Sequence, residues 1–272
     1  MGVKIMGIIN LSPESFFKGS IKQGEDIEKT ALKMKEDGAD IIDLGAMSTA
    51  PYLNTMISTE EEIRRVIEGI KRVKNVSNII ISIDTPRSKV AEKALEVGAS
   101  IINDVTGLKY DENMVSVIKE YNASVIVSAY SKARVNGDIN DTIRLLRESI
   151  KFALSKGIDE EKIIIDPAIG FFRSKGNNPF FTPSSMEWFI RDLLIIKNLE
   201  ELKMLSKPIC VSPSRKSFIG KILSIDDPNN RLIGSISCEA IAVMNGADII
   251  RTHNVYESMQ AIRIAEAIKN AR

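Results

Sequence analysis

Polar residues gather at the ends of apolar runs in this chain. MGIINLSPESF ends its run at Asn10, ISIDTP at Asp84, and IIIDPAIGF at Asp166. CVSPSRKSFIG leaves through Ser214, Arg215 and Lys216, with Ser217 entering the next helical stretch, and IIRTHNV brings Arg251 and the only histidine, His253. Carboxylates, an amide and a cationic cluster in such places suit a flat, polar ring rich in hydrogen-bond donors, held beside an anion. Each residue also has a plainer reading. Asp84 before Thr-Pro and Asp166 before Pro are natural turn formers or helix N-caps. Lys216 fits a solvated lysine, and His253 a surface residue preceding an Asn cap. Recurrence at the ends of successive runs favours one lined mouth. No HExxH, GxSxG or phosphate-loop glycine pattern competes.

The elements that must position these residues are eight short, β-branched runs: VKIMGII, DIIDLG, NIIISID, SIINDV, SVIVSA, KIIIDP, KPICVS and DIIRTH. Segments of helical period separate them, such as Thr59 to Val73 and Pro86 to Gly98. Continuous apolar strands imply burial on both faces, as in parallel sheets. Eight strand–helix units in one chain of this length predict an α/β protein, a single (β/α)8 barrel domain over residues 1–272, with its active site at the C-terminal face of the strands. A doubly wound open sheet is the alternative, because periodicity does not show that strand eight closes on strand one.

One frame occurs three times: GADIIDLG from Gly38, GASIINDV from Gly98 and GADIIRTH from Gly246. Each glycine follows a helical pattern where a left-handed C-cap is expected, and Ile-Ile opens a buried strand. The residue after the frame changes kind: Asp43, Asn103, Arg251. Entry in a common register would bring all three to equivalent positions near the strand ends.

The 272 residues are 44% hydrophobic and 27% charged with a formal net charge of +1, an ordinary globular balance that gives no reason to expect nucleic acid or an anionic membrane as partner. Cys210 and Cys238 stand far from any metal or redox spacing and read as buried free thiols of a reducing cytosol. No apolar run reaches the length of a membrane span. A cytoplasmic protein is expected.

Taken in order, IMGIINLSPESF, GADIIDLGAMSTAP, ISIDT, GASIINDV, IIIDPAIGF, SRKSFIG and GADIIRTHNV resemble the motifs of the dihydropteroate synthase family over almost the whole chain. The resemblance implies a barrel that joins 6-hydroxymethyl-7,8-dihydropterin pyrophosphate to an aromatic amine and releases pyrophosphate, with Mg²⁺. It places the pterin on Asp84, Asn103, Asp166, Phe171 and Lys216, although Phe171 reads equally as core. It places the pyrophosphate on Asn10, Thr49, Arg251 and His253, with Asn10 also nearest the metal. The arylamine falls to Ser214 and Ser217. Lys216, Arg251 and His253 are the implied catalytic set, acting by electrostatic positioning rather than by a covalent nucleophile. Small-molecule partners and a homodimer through late helices such as LIGSISCEAIAVMNG are implied too, though that apolar stripe also fits a core.

The sequence departs from the family pattern in its loops. Phe17 and Lys18 stand where a second acid is usual, Ala50 replaces the arginine of a Ser-Thr-Arg-Pro loop, and the fifth strand ends in VSAYS, with Tyr130, where a Met-His-Met-like segment is usual. After strand six, GFFRSKGNNPFFTPSSMEW is long and aromatic. These changes suggest an arylamine bearing a sugar phosphate, as in the tetrahydromethanopterin-type pathways of archaea, with Lys18, Arg173 or Lys175 binding the phosphate. An archaeal-type member is expected on that ground. The alternatives are a pterin-dependent methyltransferase of the same barrel family and a non-catalytic pterin-binding paralogue. Methyl transfer does not require the diphosphate set Lys216, Arg251 and His253.

Overall fold

The protein is described here by a computed structural model covering residues 2–13 and 17–271, with backbone alone at Lys18. The eight runs form eight parallel strands: β1 (Lys4–Asn10), β2 (Ile41–Gly45), β3 (Ile80–Asp84), β4 (Ile101–Asp104), β5 (Ser124–Ser128), β6 (Ile163–Asp166), β7 (Cys210–Val211) and β8 (Ile249–Thr252). Their order around the sheet is β6-β5-β4-β3-β2-β1-β8-β7. The ring closes where Ile165 pairs with Ile209 and donates its N–H to the Pro208 carbonyl at 2.9 Å. That bridge decides for the barrel over the open sheet.

Helices surround it: α1 (Glu25–Glu36), α2 (Thr59–Val76), α3 (Ser88–Glu96), α4 (Met114–Glu120), α5 (Ile139–Ser155), α6 (Trp188–Lys197), α7 (Ser217–Leu223), α8 (Leu232–Met244) and α9 (Val255–Asn270). Their limits reflect local chemistry. The Ser58 hydroxyl accepts the Glu61 N–H at the start of α2, and three glutamates occupy its first turn, where negative charge meets the exposed N–H groups. Val66, Ile70 and Val73, at helical spacing, are the stripe it buries.

The repeated frame works as a device for delivering side chains inward. Gly38, Gly98 and Gly246 take φ of 105°, 107° and 102°, the left-handed turn that ends each preceding helix. Ile41, Ile101 and Ile249 then pack with Met6, Ile126 and Cys210 in a layer inside the barrel. Their neighbours Ile42, Ile102 and Ile250 belong to the larger core shared with the helices. Because strand side chains alternate, Asp43, Asn103 and Arg251 turn back into the barrel one layer nearer its C-terminal mouth.

The segment after β6 is an excursion. Phe172–Arg173 pairs in parallel with Thr182–Pro183 as a two-stranded ribbon. The Tyr130 hydroxyl donates to the Pro179 carbonyl at 2.8 Å, and Arg134 donates to the carbonyls of Ser174 and Ser184. Farther along, the Asn177 N–H donates to the Pro51 carbonyl at 2.7 Å and its side chain to Tyr52 at 3.0 Å. Asn178 donates to the carbonyls of Ala50 and Leu53 at 2.7 and 3.2 Å. The departures at Ala50, after β5 and after β6 are therefore one assembly.

Candidate active site

A pocket opens at the C-terminal mouth, lined among others by Asn10, Thr49, Asp84, Phe171, Lys216, Ser217, Arg251 and His253. At its floor the three frame residues meet. Arg251 donates through Nε to Asp43 Oδ2 at 2.7 Å and through Nη2 to Asp84 Oδ2 at 2.7 Å. Asn103 Nδ2 approaches the same Asp43 oxygen at 3.5 Å. Register explains this: β3 sets Asp84 directly opposite Asn103 on β4, while β2 carries Asp43. Burial pushes the Asp84 carboxyl up from the usual range while Arg251 pulls it back and Asp43 adds to the rise. The two carboxylates hold the guanidinium firmly charged against its own desolvation. Arg251 is thus already ion-paired, and a diphosphate would share it rather than meet it free.

The wall beside β6 carries Asp166. Its Oδ1 accepts the Ala168 N–H at 2.6 Å, and burial raises its pKa against that bond and the nearby Lys216 charge. The next turn is held from behind: Arg191, fully buried, donates to the carbonyls of Pro167 and Ala168, and Asp192 accepts the Gly170 N–H at 3.0 Å. Gly170 takes φ 86°, and a Cβ there would come within 3.0 Å of the Lys216 stem. This leaves Lys216 free to lie with Nζ 4.4 Å from the Phe171 ring centre. Desolvation and the Arg251 charge lower the Lys216 pKa to about 8, against the pull of Asp166.

On the opposite side His253 Nδ1 lies 3.0 Å from Ser214 Oγ, which also accepts the His253 backbone N–H at 3.2 Å. Burial and the charges of Arg251, Lys216 and Arg215 drive the imidazole pKa well below its usual value. His253 is accordingly neutral at pH 7, not the second cation the sequence suggested. The Phe17 ring stands edge-on to it at 5.0 Å, with the Arg215 guanidinium 5.0 Å from that ring.

The structure brings Asn10, Thr49, Asp84, Phe171, Lys216, Ser217, Arg251 and His253 to one cavity; Asn103 and Asp166 are buried and do not line it, Asn103 reaching it through Asp43 and Asp166 standing near the Lys216 charge. Ser214 is different. It is 1% exposed and engaged with His253, so it stands behind that ring instead of facing an arylamine. Arg173 does not face the cavity either: buried, it donates to Ser217 Oγ at 2.8 Å. Lys175 is exposed on the excursion, and the Lys18 side chain lies outside the described residues. Among positions given no role from sequence, Asp43 is the anchor of Arg251, and the repeated frame was the signal for it. Tyr52 and Ser212 also line the pocket, without a signal.

This fold and this mouth define a barrel enzyme of the pterin-binding class, and residues 6–253 match the family described as pterin binding enzyme. The chain belongs to the dihydropteroate synthase family, which are transferases. It is 35% identical over 270 residues to the dihydropteroate synthase of Bacillus subtilis, covering 98% of this chain and 88% of that one. The solved dihydropteroate synthase of Clostridium difficile in the presence of pteroic acid matches with a TM-score of 0.84 at 38% identity, over 98% of this chain and 97% of that one. The Xanthomonas albilineans enzyme with 4-aminobenzoic acid matches with a TM-score of 0.86 at 26% identity, over 100% and 94%. No helix among the described residues is long and apolar enough to cross a membrane.

Proposed function

We propose that the protein condenses 6-hydroxymethyl-7,8-dihydropterin pyrophosphate with p-aminobenzoate, releasing pyrophosphate, as a step of folate biosynthesis. The observation that supports this reading is that Lys216, Arg251 and His253 line one cavity, with the Asp84 and Asp43 carboxylates on Arg251 and Asp166 and Asn103 buried nearby. A pterin edge presents an amino group and ring N–H donors to Asp166, while Asn103 both donates and accepts. Lys216 donates to the ring acceptors and Phe171 covers a ring face.

Chemistry then requires little beyond charge placement. The C–O bond between the pterin methylene and the diphosphate breaks, with its electron pair leaving on oxygen. The amine nitrogen attacks the methylene carbon and sheds one proton to the departing diphosphate or to water. Arg251 stabilises the leaving charge, the neutral His253 ring stands beside it, and Asp166 with Lys216 keeps the pterin in line. Asn10 and Thr49 border the diphosphate, and Ser217 the arylamine.

Mg²⁺ belongs to the same reading. No group of three acids, histidines or cysteines gathers among the described residues. Asn10, at the mouth, is the residue that would hold Mg²⁺, through its side-chain oxygen. When bound, it would neutralise leaving-group charge. A homodimer is proposed through the face where Ile233 and Ile241 of α8 and Ile264 and Ile268 of α9 are 80%, 50%, 64% and 62% exposed. A cytosolic setting suits the two free cysteines.

The deciding assay offers isotopically labelled pterin pyrophosphate with p-aminobenzoate and, in parallel, ribosylated aminobenzene phosphate. Formation of labelled pteroate with stoichiometric pyrophosphate supports the reading. Turnover with the phosphorylated amine alone would move the enzyme to a tetrahydromethanopterin-type pathway, and turnover with neither would sink the synthase.

A further inference from the structure

We propose that Arg173 acts through Ser217 as a positioning residue that makes the second-substrate side of the pocket select an anionic arylamine, an inference resting on the synthase reading above. The β2 loop that borders this side contributes Ser48, Thr49, Ala50, Pro51 and Tyr52, and none of them is a cation. Arg231, a cation near Tyr52, spends its donors on the carbonyls of Arg215, Ile225 and Asp226. Arg173 is placed otherwise. Its Nη2 donates to Ser217 Oγ at 2.8 Å, its Nη1 to the Phe172 carbonyl at 2.8 Å, and the guanidinium carbon sits 4.3 Å from the Trp188 ring centre. Asp192 Oδ2, which has no hydrogen-bond partner among the described residues, lies 4.0 Å from Nη1. The cation is thus fixed in one orientation, 9% exposed, one hydroxyl away from the cavity.

A hydroxyl that accepts from a guanidinium has that lone pair occupied, so its proton turns elsewhere. Ser217 lies on the pocket wall, and the cavity is where that proton can find an acceptor. Charge-assisted donation polarises the O–H further, strengthening what it gives to a carboxylate. Arg173 therefore supplies from behind the positive field that Ala50 does not supply from the loop.

The test compares p-aminobenzoate with p-aminobenzamide, which keeps ring and amine but loses the charge. Ratios are measured as kcat/KM and, by calorimetry in the presence of pyrophosphate, as Kd. The unmodified protein should favour the benzoate by about tenfold or more, a preference worth one hydrogen bond to a charged group. Arg173→Gln should bring that ratio to within about twofold of parity, with Arg173→Lys between the two because a point charge remains without the fork. Ser217→Ala should remove the same preference, and Arg173→Gln added to it should remove no more. A role confined to bracing the excursion would lower both amines together and leave the ratio unchanged, which overturns the proposal; so would full additivity of the two substitutions. Should no amine turn over, the synthase reading falls and the binding ratios still decide this one.

Discussion

The floor and the rim of this mouth are built by different means. On the floor, Asp43, Asp84, Asn103, Asp166 and Arg251 sit on strands whose pairing fixes their mutual positions, so that Asp84 faces Asn103 and Gly45 lies between Asn10 and Asp84. On the rim, the β2 loop is held by side-chain to backbone hydrogen bonds from residues 125 or more positions away, Asn177 to Tyr52 and Asn178 to Ala50. A floor residue cannot move without the sheet. A rim residue can be lost and its work taken up by another loop, which is how an alanine at position 50 coexists with an ordered pocket wall. The difference predicts that floor substitutions damage fold or pterin binding, whereas rim substitutions past Thr49 touch the second substrate alone.

The largest effect should come from Asp43→Ala. It removes a fully buried carboxylate from Arg251, leaves the guanidinium short of a partner, and should cost about 3–5 kcal/mol of stability in denaturant unfolding. Asp43→Asn, which keeps an oxygen acceptor, should lose less. If Asp43→Ala unfolds at the same midpoint as the unmodified protein, the ion pair is not what organises the floor.

Asp166→Asn should come next, with the fold intact and pterin affinity lowered by about a hundredfold, since an amide presents a donor where the ring also donates. Calorimetry finding equal pterin affinity would take Asp166 out of the site and leave its bond to Ala168 as its whole role.

Much of the floor was legible in the sequence because its cause is local. A glycine that caps a helix, two isoleucines and a changing third residue are visible as text, and strand alternation alone sends that third side chain inward. Closure of the ring was not legible, because it rests on one bridge between Ile165 and Ile209 that no periodicity encodes. The rim shows in the sequence only as a set of departures from a pattern. That Tyr130, the excursion and the β2 loop brace one another depends on contacts between distant segments, and short polar loop residues such as Asn177 and Asn178 look alike whether clamped or solvated. His253 misleads for a related reason. Its residue type promises a cation, while its neutrality comes from burial first, and then from Arg251, Lys216 and Arg215 crowding around it in space.

Lys216 joins floor and rim and should report on both through pH. Its folded-state pKa is lowered to about 8, so the ammonium loses its proton as pH rises through that value. The kcat/KM for pterin pyrophosphate should therefore fall above pH 8, by about tenfold at pH 9. Sign matters for stability as well: between about 8 and the ordinary lysine value the unfolded chain binds the extra proton, so this group makes the protein more stable as pH rises there. Lys216→Arg stays charged over the whole range and should lose the alkaline limb whatever its plateau. A limb that persists in Lys216→Arg belongs to another group.

The smallest effect is expected at Asn178, and it separates the two regions most cleanly. Asn178→Ala removes the bonds to the carbonyls of Ala50 and Leu53 and the acceptor for the Phe180 N–H, all on the rim. The two freed carbonyls lie in a loop that water can reach, so the net loss is modest, about 1 kcal/mol. Because the clamp holds the loop at Ala50 and Leu53, past Thr49, this should appear as a rise of about fivefold in KM for p-aminobenzoate, with kcat nearly kept and pterin Kd unchanged. Asn178→Asp retains the acceptor for Phe180 but sets a carboxylate against two carbonyl oxygens, and should raise KM at least as far. A fall in pterin affinity in either variant would mean that the clamp reaches the floor, and the division of the mouth into sheet-built and loop-built halves would not hold.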